Sequence, residues 1–262
     1  MEEAGKKRIQ LLWNEVTEYG ASRTEEALTL LMEALASLLD AQHAYWTGAL
    51  LLSNTAEQDP MQGWRPRVVT FLNPTKERLL AEKEYMRRID YGQIDPTITA
   101  NLQKAGQFRV STSHELAPPG WFDSEFYLCL YAPFEVIDTI YVAIPLGSDI
   151  ESWLAFERIG KDKPLFGETE RELLDYSMRP MKWFHHQLVL HHGVTLANEP
   201  LKPAERRVLN SLLTQKTEQE IAGEHGLTPA TVHTYCTRIY RKFNVRGRAG
   251  LTALWLGKMP SS

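Results

Sequence analysis

A short stretch near the end of the chain carries side chains suited to reading a nucleic acid. Polar and basic residues recur there at helical spacing on one side. They are His233, Thr234, Thr237, Arg238 and Arg241. Hydroxyl and imidazole groups can hydrogen-bond base edges in the major groove, and arginines can bind phosphates. The same pattern also fits a solvated helix in an ordinary bundle. The neighbouring elements are needed to distinguish a DNA-reading helix from a solvated one.

The residues between these polar positions are apolar, and the signals before them predict a tight turn. Val232, Cys236, Ile239 and Phe243 form the expected buried side, with Tyr235 at its edge. Thr217 and Glu220 have capping-box spacing for a preceding helix. Gly226 supplies the left-handed residue that ends it, and Thr228 with Pro229 begins the next. Two helices joined in this way make a helix-turn-helix.

Residues 201–256 resemble the C-terminal DNA-binding domain of LuxR-type transcriptional regulators, the NarL-like group. The resemblance runs without insertion through about a quarter of the chain. The matching residues are Leu201, Pro203, Glu205, Val208, Leu209, Thr217, Glu220, Ile221, Ala222, Thr231, Val232, Ile239, Tyr240, Lys242, Val245 and Arg248.

The resemblance implies an all-α domain of four helices and assigns roles to its polar residues. His233, Thr234 and Thr237 would face base edges, and Thr217, Arg241, Lys242 and Arg246 would lie near the DNA backbone. Thr231 and Arg238 complete the predicted DNA-binding set. The last helix, 249–258, would be a dimerisation helix. Its apolar stripe of Leu251, Leu254 and Trp255 is expected to be exposed and to pair with a second copy. The alternative is that the stripe packs onto the chain's own helices, which fits Leu251 best, whereas Trp255 is the stronger interface candidate.

Four positions depart from the family pattern. Lys202 stands where a capping Ser or Thr is usual, and Gln215 replaces a usual Gly in a turn. His233 and Tyr235 stand where Lys and His are commoner, which removes one charge from the recognition surface. The missing Lys affects base preference and phosphate attraction rather than the fold. Lys202 predicts a weaker start of the first helix, and Gln215 predicts a turn without its usual left-handed glycine.

Charge divides the chain into two parts. The whole chain carries 29 basic and 33 acidic residues, a net charge of −4. From Pro200 onward there are 10 Lys and Arg against 4 Asp and Glu, which leaves 19 against 29 in the preceding part. A net charge of +6 at the end thus follows a net charge of −10. A basic domain fits a polyanion partner, whereas the acidic part would repel DNA.

The preceding residues predict a second domain of the α+β class. Segments with helical and strand periodicity favour a central antiparallel sheet flanked by helices. Ser22 and Glu25 have capping-box spacing, and a long helix from Glu168 is expected to bend at Pro180. The segment order resembles GAF/PAS-like sensor domains. The predicted division is 1–193 for the sensor, 194–200 for a linker and 201–262 for the DNA-binding domain.

A second, looser resemblance is to the autoinducer-binding domains of quorum-sensing regulators. Tyr91 followed by Asp95 and Pro96 matches their Tyr…Asp-Pro element, and the resemblance implies that Asp95 accepts a hydrogen bond from a ligand amide. Glu82 and Met86 stand about where that family has upstream aromatics, although Tyr85 is close by. Asp95 and Pro96 fit a helix N-cap and first-turn proline equally well.

Aromatic residues are abundant in the first domain and could line a small apolar pocket. Tyr85, Tyr91, Asp95 and Trp121 are the predicted ligand-binding residues. Filling of the sheet–helix core explains most of the aromatics equally well. They are Tyr45, Trp46, Trp64, Tyr85, Tyr91, Trp121, Phe122, Phe126, Tyr127 and Tyr131.

Other chemistry finds little support in the sequence. His185, His186, His191 and His192 lack the usual spacing of a metal-binding helix, and a solvated helix end is expected there. Cys129 and Cys236 are expected to be buried, reduced thiols. No phosphate-binding loop, nucleophile elbow or zinc-protease motif occurs, so we predict neither an enzyme nor a cofactor. No apolar run approaches a membrane span, and a cytoplasmic location is expected.

These observations predict a DNA-binding transcriptional regulator whose first domain senses a small molecule or a partner and which acts as a homodimer. A regulator whose first domain only dimerises or docks a protein is the alternative, and a filled core would favour it. A divergent enzyme with a regulatory tail is a third reading. A deep pocket with paired titratable residues would favour the enzyme.

Overall fold

A computed structural model describes residues 2–52, 59–194 and 201–256. Its strands are β1 (His43–Leu51), β2 (Trp64–Phe71), β3 (Arg109–Thr112), β4 (Val136–Pro145) and β5 (Ile150–Ile159). The first eight helices are α1 (Glu3–Thr17), α2 (Thr24–Leu38), α3 (Lys76–Asp90), α4 (Pro96–Leu102), α5 (Ser113–Leu116), α6 (Glu125–Leu130), α7 (Glu168–Met178) and α8 (Lys182–His191). The last four described are α9 (Pro203–Leu212), α10 (Glu218–His225), α11 (Pro229–Lys242) and α12 (Arg248–Trp255).

The five strands form one antiparallel sheet in the order β2-β1-β5-β4-β3. Helices cover both faces, because the strands alternate between two apolar sets. Ile140, Val142 and Ile144 of β4 pack with α1, α2, α7 and α8, whereas Tyr141 and Ala143 face α3 and α4. The predicted central sheet flanked by helices is therefore confirmed.

Helices α9–α12 build a second core around α11. Val232, Cys236 and Ile239 are buried there, as their spacing predicts. The turn before α11 also follows the prediction, since Thr217 caps α10, Gly226 has a φ of 64° and Thr228 caps α11. Four helices with this local geometry form a helix-turn-helix domain.

The stripe on α12 differs from the prediction. Leu251, Leu254 and Trp255 are all buried in the core of their own domain, and the Trp255 and Phe243 rings lie 5.4 Å apart. The expected exposed stripe is wrong, because a small domain uses these large side chains to close its only core. The stretch from residue 257 onward lies outside the described residues.

The turn between α9 and α10 shows how the chain accommodates Gln215. This residue is not among those with positive φ, so the turn does not need the missing glycine. The Arg248 guanidinium instead donates to the carbonyls of Leu212, Lys216 and Thr214. Lys202 contributes no side-chain cap to α9, but its backbone N–H donates to Glu205.

Three smaller expectations have different outcomes: one is confirmed, one is wrong and one holds in part. The chain from Glu168 bends as predicted, with a 3₁₀ turn at Arg179–Met181 between α7 and α8. Ser22 lies inside a 3₁₀ turn and does not cap α2, so that capping box is wrong. Cys129 is exposed rather than buried, whereas Cys236 is buried, and both are free thiols. No helix among the described residues is long and apolar enough to cross a bilayer.

The two domains contact each other at one place. Leu190 of α8 belongs to the core cluster of α9–α12. Beside it, Arg206 of α9 donates to Glu25 of α2 at 3.2 Å and to Nδ1 of His192 at 2.8 Å. The predicted linker, apart from Val194, lies outside the described residues.

Candidate functional site

The polar face of α11 is open to solvent. His233, Thr234, Thr237, Arg238 and Arg241 are all exposed, which confirms the predicted division of this helix into two faces. A helix with this arrangement presents hydrogen-bonding groups along its first three turns and positive charge toward its end. Those are the groups that base edges and phosphates require.

The basic residues around α11 fall into two kinds. Arg238, Arg241 and Arg246 are exposed and form no ion pair with any residue that the structure describes. Lys242, in contrast, turns inward and its Nζ lies 2.8 Å from the buried Glu205 carboxylate of α9. Three arginines thus remain available to an external anion, whereas Lys242 is engaged in holding α9 against α11.

The predicted hydroxyl residues serve the fold as well as the surface. Thr217 is exposed and exchanges hydrogen bonds with Glu220 in the capping box. Thr231 lies within 2.9 Å of the Thr228 hydroxyl, and Thr234 donates to the carbonyl of Ala230. His233 Nδ1 lies 3.1 Å from Glu218. Thr237 has no such contact among the described residues.

The first domain contains a cavity of about 100 Å³ between the sheet and helix α3. Its wall is mainly apolar and aromatic. The aromatic lining residues are Tyr45, Trp64, Phe71, Tyr85, Tyr131, Tyr141 and Trp153. The remaining apolar wall includes Ala49, Met61, Met86, Ile89 and Ile98. Enclosed apolar space with few polar groups is typical of small-molecule sites.

Charged groups lie at one end of this cavity. Arg78 of α3 pairs with Glu157 of β5, whose side chain is fully buried. Glu82, one helical turn after Arg78, also lines the cavity. Burial raises the pKa of Glu82 to about 7, opposed by the charge of Arg78 and supported by that of Glu157. The Glu82 carboxyl can therefore gain or lose its proton near neutral pH.

The structure brings only one of the four predicted ligand residues to the cavity. Tyr85 lines it. Tyr91 is 74% exposed at the end of α3, outside the lining. Trp121 is buried in a neighbouring aromatic cluster with Phe122, and it does not line the cavity either.

Asp95 caps a helix in the structure. Its Oδ1 accepts from the backbone and hydroxyl of Thr97, both at 2.9 Å, and Oδ2 accepts from the Tyr131 hydroxyl at 2.7 Å. Burial raises the pKa of Asp95, although these hydrogen bonds oppose the rise. The carboxyl is fully buried and absent from the cavity lining. This geometry matches the N-cap alternative that the sequence left open.

Sequence reasoning missed the cavity residues on the sheet. Tyr141, Trp153 and Glu157 come from β4 and β5, and their alternation with residues of the other face was the signal available. Arg78 and Glu82 share one side of α3 at a spacing of four. Only the packing of α3 on the sheet shows that this side faces a cavity.

The histidines of α8 are not a solvated helix end. His185, His191 and His192 are buried, and His186 is half-buried. Burial lowers the pKa of both His185 and His192 to about 3, so these two rings are neutral at physiological pH.

Two of these histidines form a cluster that could hold a metal ion. Possible ligand atoms of Glu25, His191 and His192 lie within 4.8 Å of one another. The Arg206 guanidinium already donates to two of the three residues. A positive charge therefore fills the role that a cation would take, and the cluster acts as a contact between the domains.

Strand β1 connects the cavity with this domain contact. Tyr45, Thr47 and Ala49 line the cavity on one face of the strand. On the other face, the Trp46 ring lies 4.8 Å from the His192 ring. Gly48 lies so close to Val194 that a Cβ built on it would be 2.5 Å from a Val194 methyl. A shift of β1 would therefore change the packing both at the cavity and at the domain contact.

The C-terminal helices match a known protein family. Residues 199–255 fit the sequence model of the bacterial regulatory proteins of the luxR family. This part of the chain is a LuxR-family helix-turn-helix domain, as its residues predicted. That family consists of bacterial regulatory proteins. None of the curated proteins matches the chain in sequence.

Several solved structures resemble the chain at low sequence identity. SdiA in complex with octanoyl-rac-glycerol is 14% identical, with a TM-score of 0.47 over 98% of this chain and 96% of that chain. The VqsR ligand-binding domain from Pseudomonas aeruginosa is 13% identical, with a TM-score of 0.46 over 72% and 98%. Escherichia coli SdiA is 15% identical, with a TM-score of 0.45 over 97% and 98%.

Proposed function

We propose that this chain is a sequence-specific transcriptional regulator whose first domain binds a small molecule and controls DNA binding. One observation carries the DNA-binding half: the exposed polar face of α11 lies in a LuxR-family helix-turn-helix domain. His233, Thr234 and Thr237 would meet base edges, and Arg238, Arg241 and Arg246 would meet phosphates. Thr217 and Thr231 would lie near the backbone.

The cavity supports the sensing half of the proposal. An empty aromatic-walled space favours a ligand over the docking alternative, which a filled core would support. Carboxyl groups in a deep pocket would favour an enzyme, but Glu157 is held by Arg78. The lining also contains no serine, cysteine, histidine or lysine among the described residues. The cavity is therefore suited to binding rather than to nucleophilic chemistry.

Strand β1 would transmit ligand binding in the cavity to the contact between the two domains and so control DNA binding. A ligand that fits one position of this strand better than another shifts the population between two domain arrangements. The contacts of Trp46 with His192 and of Gly48 with Val194 place the strand against the end of the first domain and the first residue of the linker. The ion pair between Arg206 and Glu25 would form in one arrangement of the two domains and break in the other.

The proposal includes a homodimer on DNA. Helix-turn-helix proteins commonly read two half-sites about one helical turn apart, and a dimer matches that spacing. Burial of the α12 stripe means that these side chains are not available for the contact. Sedimentation of the full chain, with and without a two-half-site duplex, measures the assembly.

The first prediction concerns sequence recognition by α11. Replacing Thr234 or Thr237 with glutamine changes the groups presented to base edges while leaving the apolar face untouched. We expect each variant to select different sequences from random DNA, with a loss of about 1–3 kcal/mol on the parent's preferred site. Selection followed by sequencing measures the preference.

Arg241→Ala provides the matched comparison for this test. A phosphate contact carries no sequence information, so this variant should weaken all sequences alike and lower the salt slope by roughly one. If the parent and both threonine variants select the same sites, Thr234 and Thr237 do not read base edges and the prediction for α11 is wrong.

The second prediction concerns the contact between β1 and Val194, the first residue of the linker. Gly48→Ala places a methyl group against Val194, and we expect overpacking to destabilise the first domain by about 1–3 kcal/mol. Adding Val194→Ala should recover part of this loss, because it removes the opposing methyls but leaves the Trp46 ring 3.1 Å from the added carbon. Urea unfolding measures both variants.

Gly20 offers the control glycine for this substitution. A Cβ at this position meets nothing within 4 Å, so Gly20→Ala should leave stability nearly unchanged. An equal effect of Gly48→Ala with and without Val194→Ala would show that the two positions do not touch in solution.

A further inference from the structure

The charged side chains around the cavity do not balance. Of its two arginines, Arg65 pairs with Asp59 at 3.0 Å and Arg78 pairs with Glu157. Glu82 forms no hydrogen bond or ion pair with any residue that the structure describes. The lining contains two arginines and two glutamates, but Arg65 is paired with Asp59, which lies outside the lining, so Glu82 is left without a basic partner.

Glu157 adds a second unsatisfied acceptor. Its side chain is fully buried, and only its Oε1 is held by Arg78. Its Oε2 has no hydrogen-bond partner among the described residues, although His43 Nδ1 lies 3.4 Å away. This oxygen is buried with the rest of the Glu157 side chain, so Glu82 is the carboxyl of the lining that a ligand can reach.

The walls of the cavity suit a cation as well. Seven aromatic rings line a space of about 100 Å³. The faces of such rings carry negative charge, and aromatic cages of this kind bind ammonium groups through cation–π attraction. An anionic ligand would meet two carboxyl groups there, while the guanidinium of Arg78 is already paired.

We propose that the cavity binds a small primary amine with an apolar body, whose ammonium group donates to Glu82. This inference rests on the proposed sensing function, since it names the ligand class of the same cavity. The volume restricts the occupant to about the size of one substituted ring. The polar site is formed by Glu82 and not by Asp95, whose oxygens accept hydrogen bonds from Thr97 and Tyr131.

Three small molecules of one shape and different charge test the proposal on the full chain. Benzylamine is cationic, benzyl alcohol is neutral and benzoate is anionic. Calorimetry gives their affinities, and the fluorescence of Trp64 and Trp153 reports occupancy of the cavity. We expect benzylamine to bind about tenfold tighter than benzyl alcohol, and benzoate to bind least well.

Substitution of Glu82 identifies the group responsible. Glu82→Gln keeps the side-chain shape and should weaken benzylamine binding about tenfold, with no loss for benzyl alcohol. Glu77→Gln is the matched control, because Glu77 lies on the same helix but is exposed. Circular dichroism confirms that both variants fold.

The pH dependence supplies a second readout. Benzylamine affinity should rise between about pH 6 and pH 8, because the pKa of Glu82 lies at about 7 and the ionised form binds the cation. Glu82→Gln should abolish the rise. The other titratable and charged groups facing this end are unchanged in that variant. They are Arg78, Glu157, His43, Tyr45, Tyr85, Tyr131 and Tyr141.

Each remaining outcome has a distinct meaning. Tighter binding of benzyl alcohol or benzoate overturns the amine class but leaves a sensing cavity in place. Benzylamine binding that Glu82→Gln does not weaken places the amine outside this site and overturns the proposal. If none of the three probes changes the fluorescence or binds by calorimetry, the amine proposal and the proposed sensing function both fail.

Discussion

The double substitution Leu254→Asp and Trp255→Asp is expected to unfold the C-terminal helical domain. Both side chains are buried in its core, with Trp255 only 7% exposed. Loss of a buried tryptophan alone costs about 3–5 kcal/mol, and two buried aspartates add to it. A domain of this size has a total stability of roughly 3–8 kcal/mol. The expected loss of stability therefore exceeds the total stability of the domain.

DNA binding and circular dichroism measure this result together. We expect loss of affinity for single half-site and two-half-site duplexes alike, with loss of helical signal while the first domain keeps its thermal transition. Leu256→Asp is the control, because Leu256 follows on the same helix but is 72% exposed. Loss confined to the two-half-site duplex would identify Leu254 and Trp255 as an interface between copies.

Arg109→Ala is expected to destabilise the first domain by about 3–5 kcal/mol, because it leaves a buried carboxylate without its counter-charge. The Arg109 guanidinium donates to both oxygens of Glu151 at 2.8 Å, and both side chains are buried. Glu151 also accepts from Gly106 N at 2.7 Å and from Trp153 Nε1 at 2.8 Å. The pair thus joins β3 to β5 and orients a ring of the cavity wall.

Urea unfolding monitored on the first domain tests this prediction. Arg87→Ala is the matched control, since its ion pair with Glu84 on the surface of α3 is worth about 0–1 kcal/mol. Equal losses for Arg109→Ala and Arg87→Ala would show that the buried pair does not form in solution.

The helix-turn-helix could be predicted residue by residue because its signals are local. Thr217 and Glu220 are three residues apart, Gly226 has its left-handed conformation in the turn itself, and Val232 and Ile239 fall on one side of a single helix. Caps, turns and helical periodicity act over a few residues. The exposed recognition face follows from the same periodicity.

The cavity could not be predicted in this way. Glu82, Glu157 and Trp153 come from one helix and one distant strand, and they share a site only after the sheet has paired and α3 has packed on it. Their sequence positions show no motif. Tyr91 and Asp95 fit a family pattern on the chain, yet one is exposed and the other caps a helix.

The sequence by itself determined the helix-turn-helix of residues 201–256 and the exposed polar face of α11, because short-range hydrogen bonding and helical periodicity encode both. Tertiary structure alone decided the burial of Trp255, the inward turn of Lys242 toward Glu205, and the contact of Arg206 with Glu25. Each depends on a partner many residues away, and the pattern of polar and apolar residues does not specify which distant partner a side chain meets. The partner of each side chain is determined by packing in the folded chain, because buried charges must be paired and interior space must be filled.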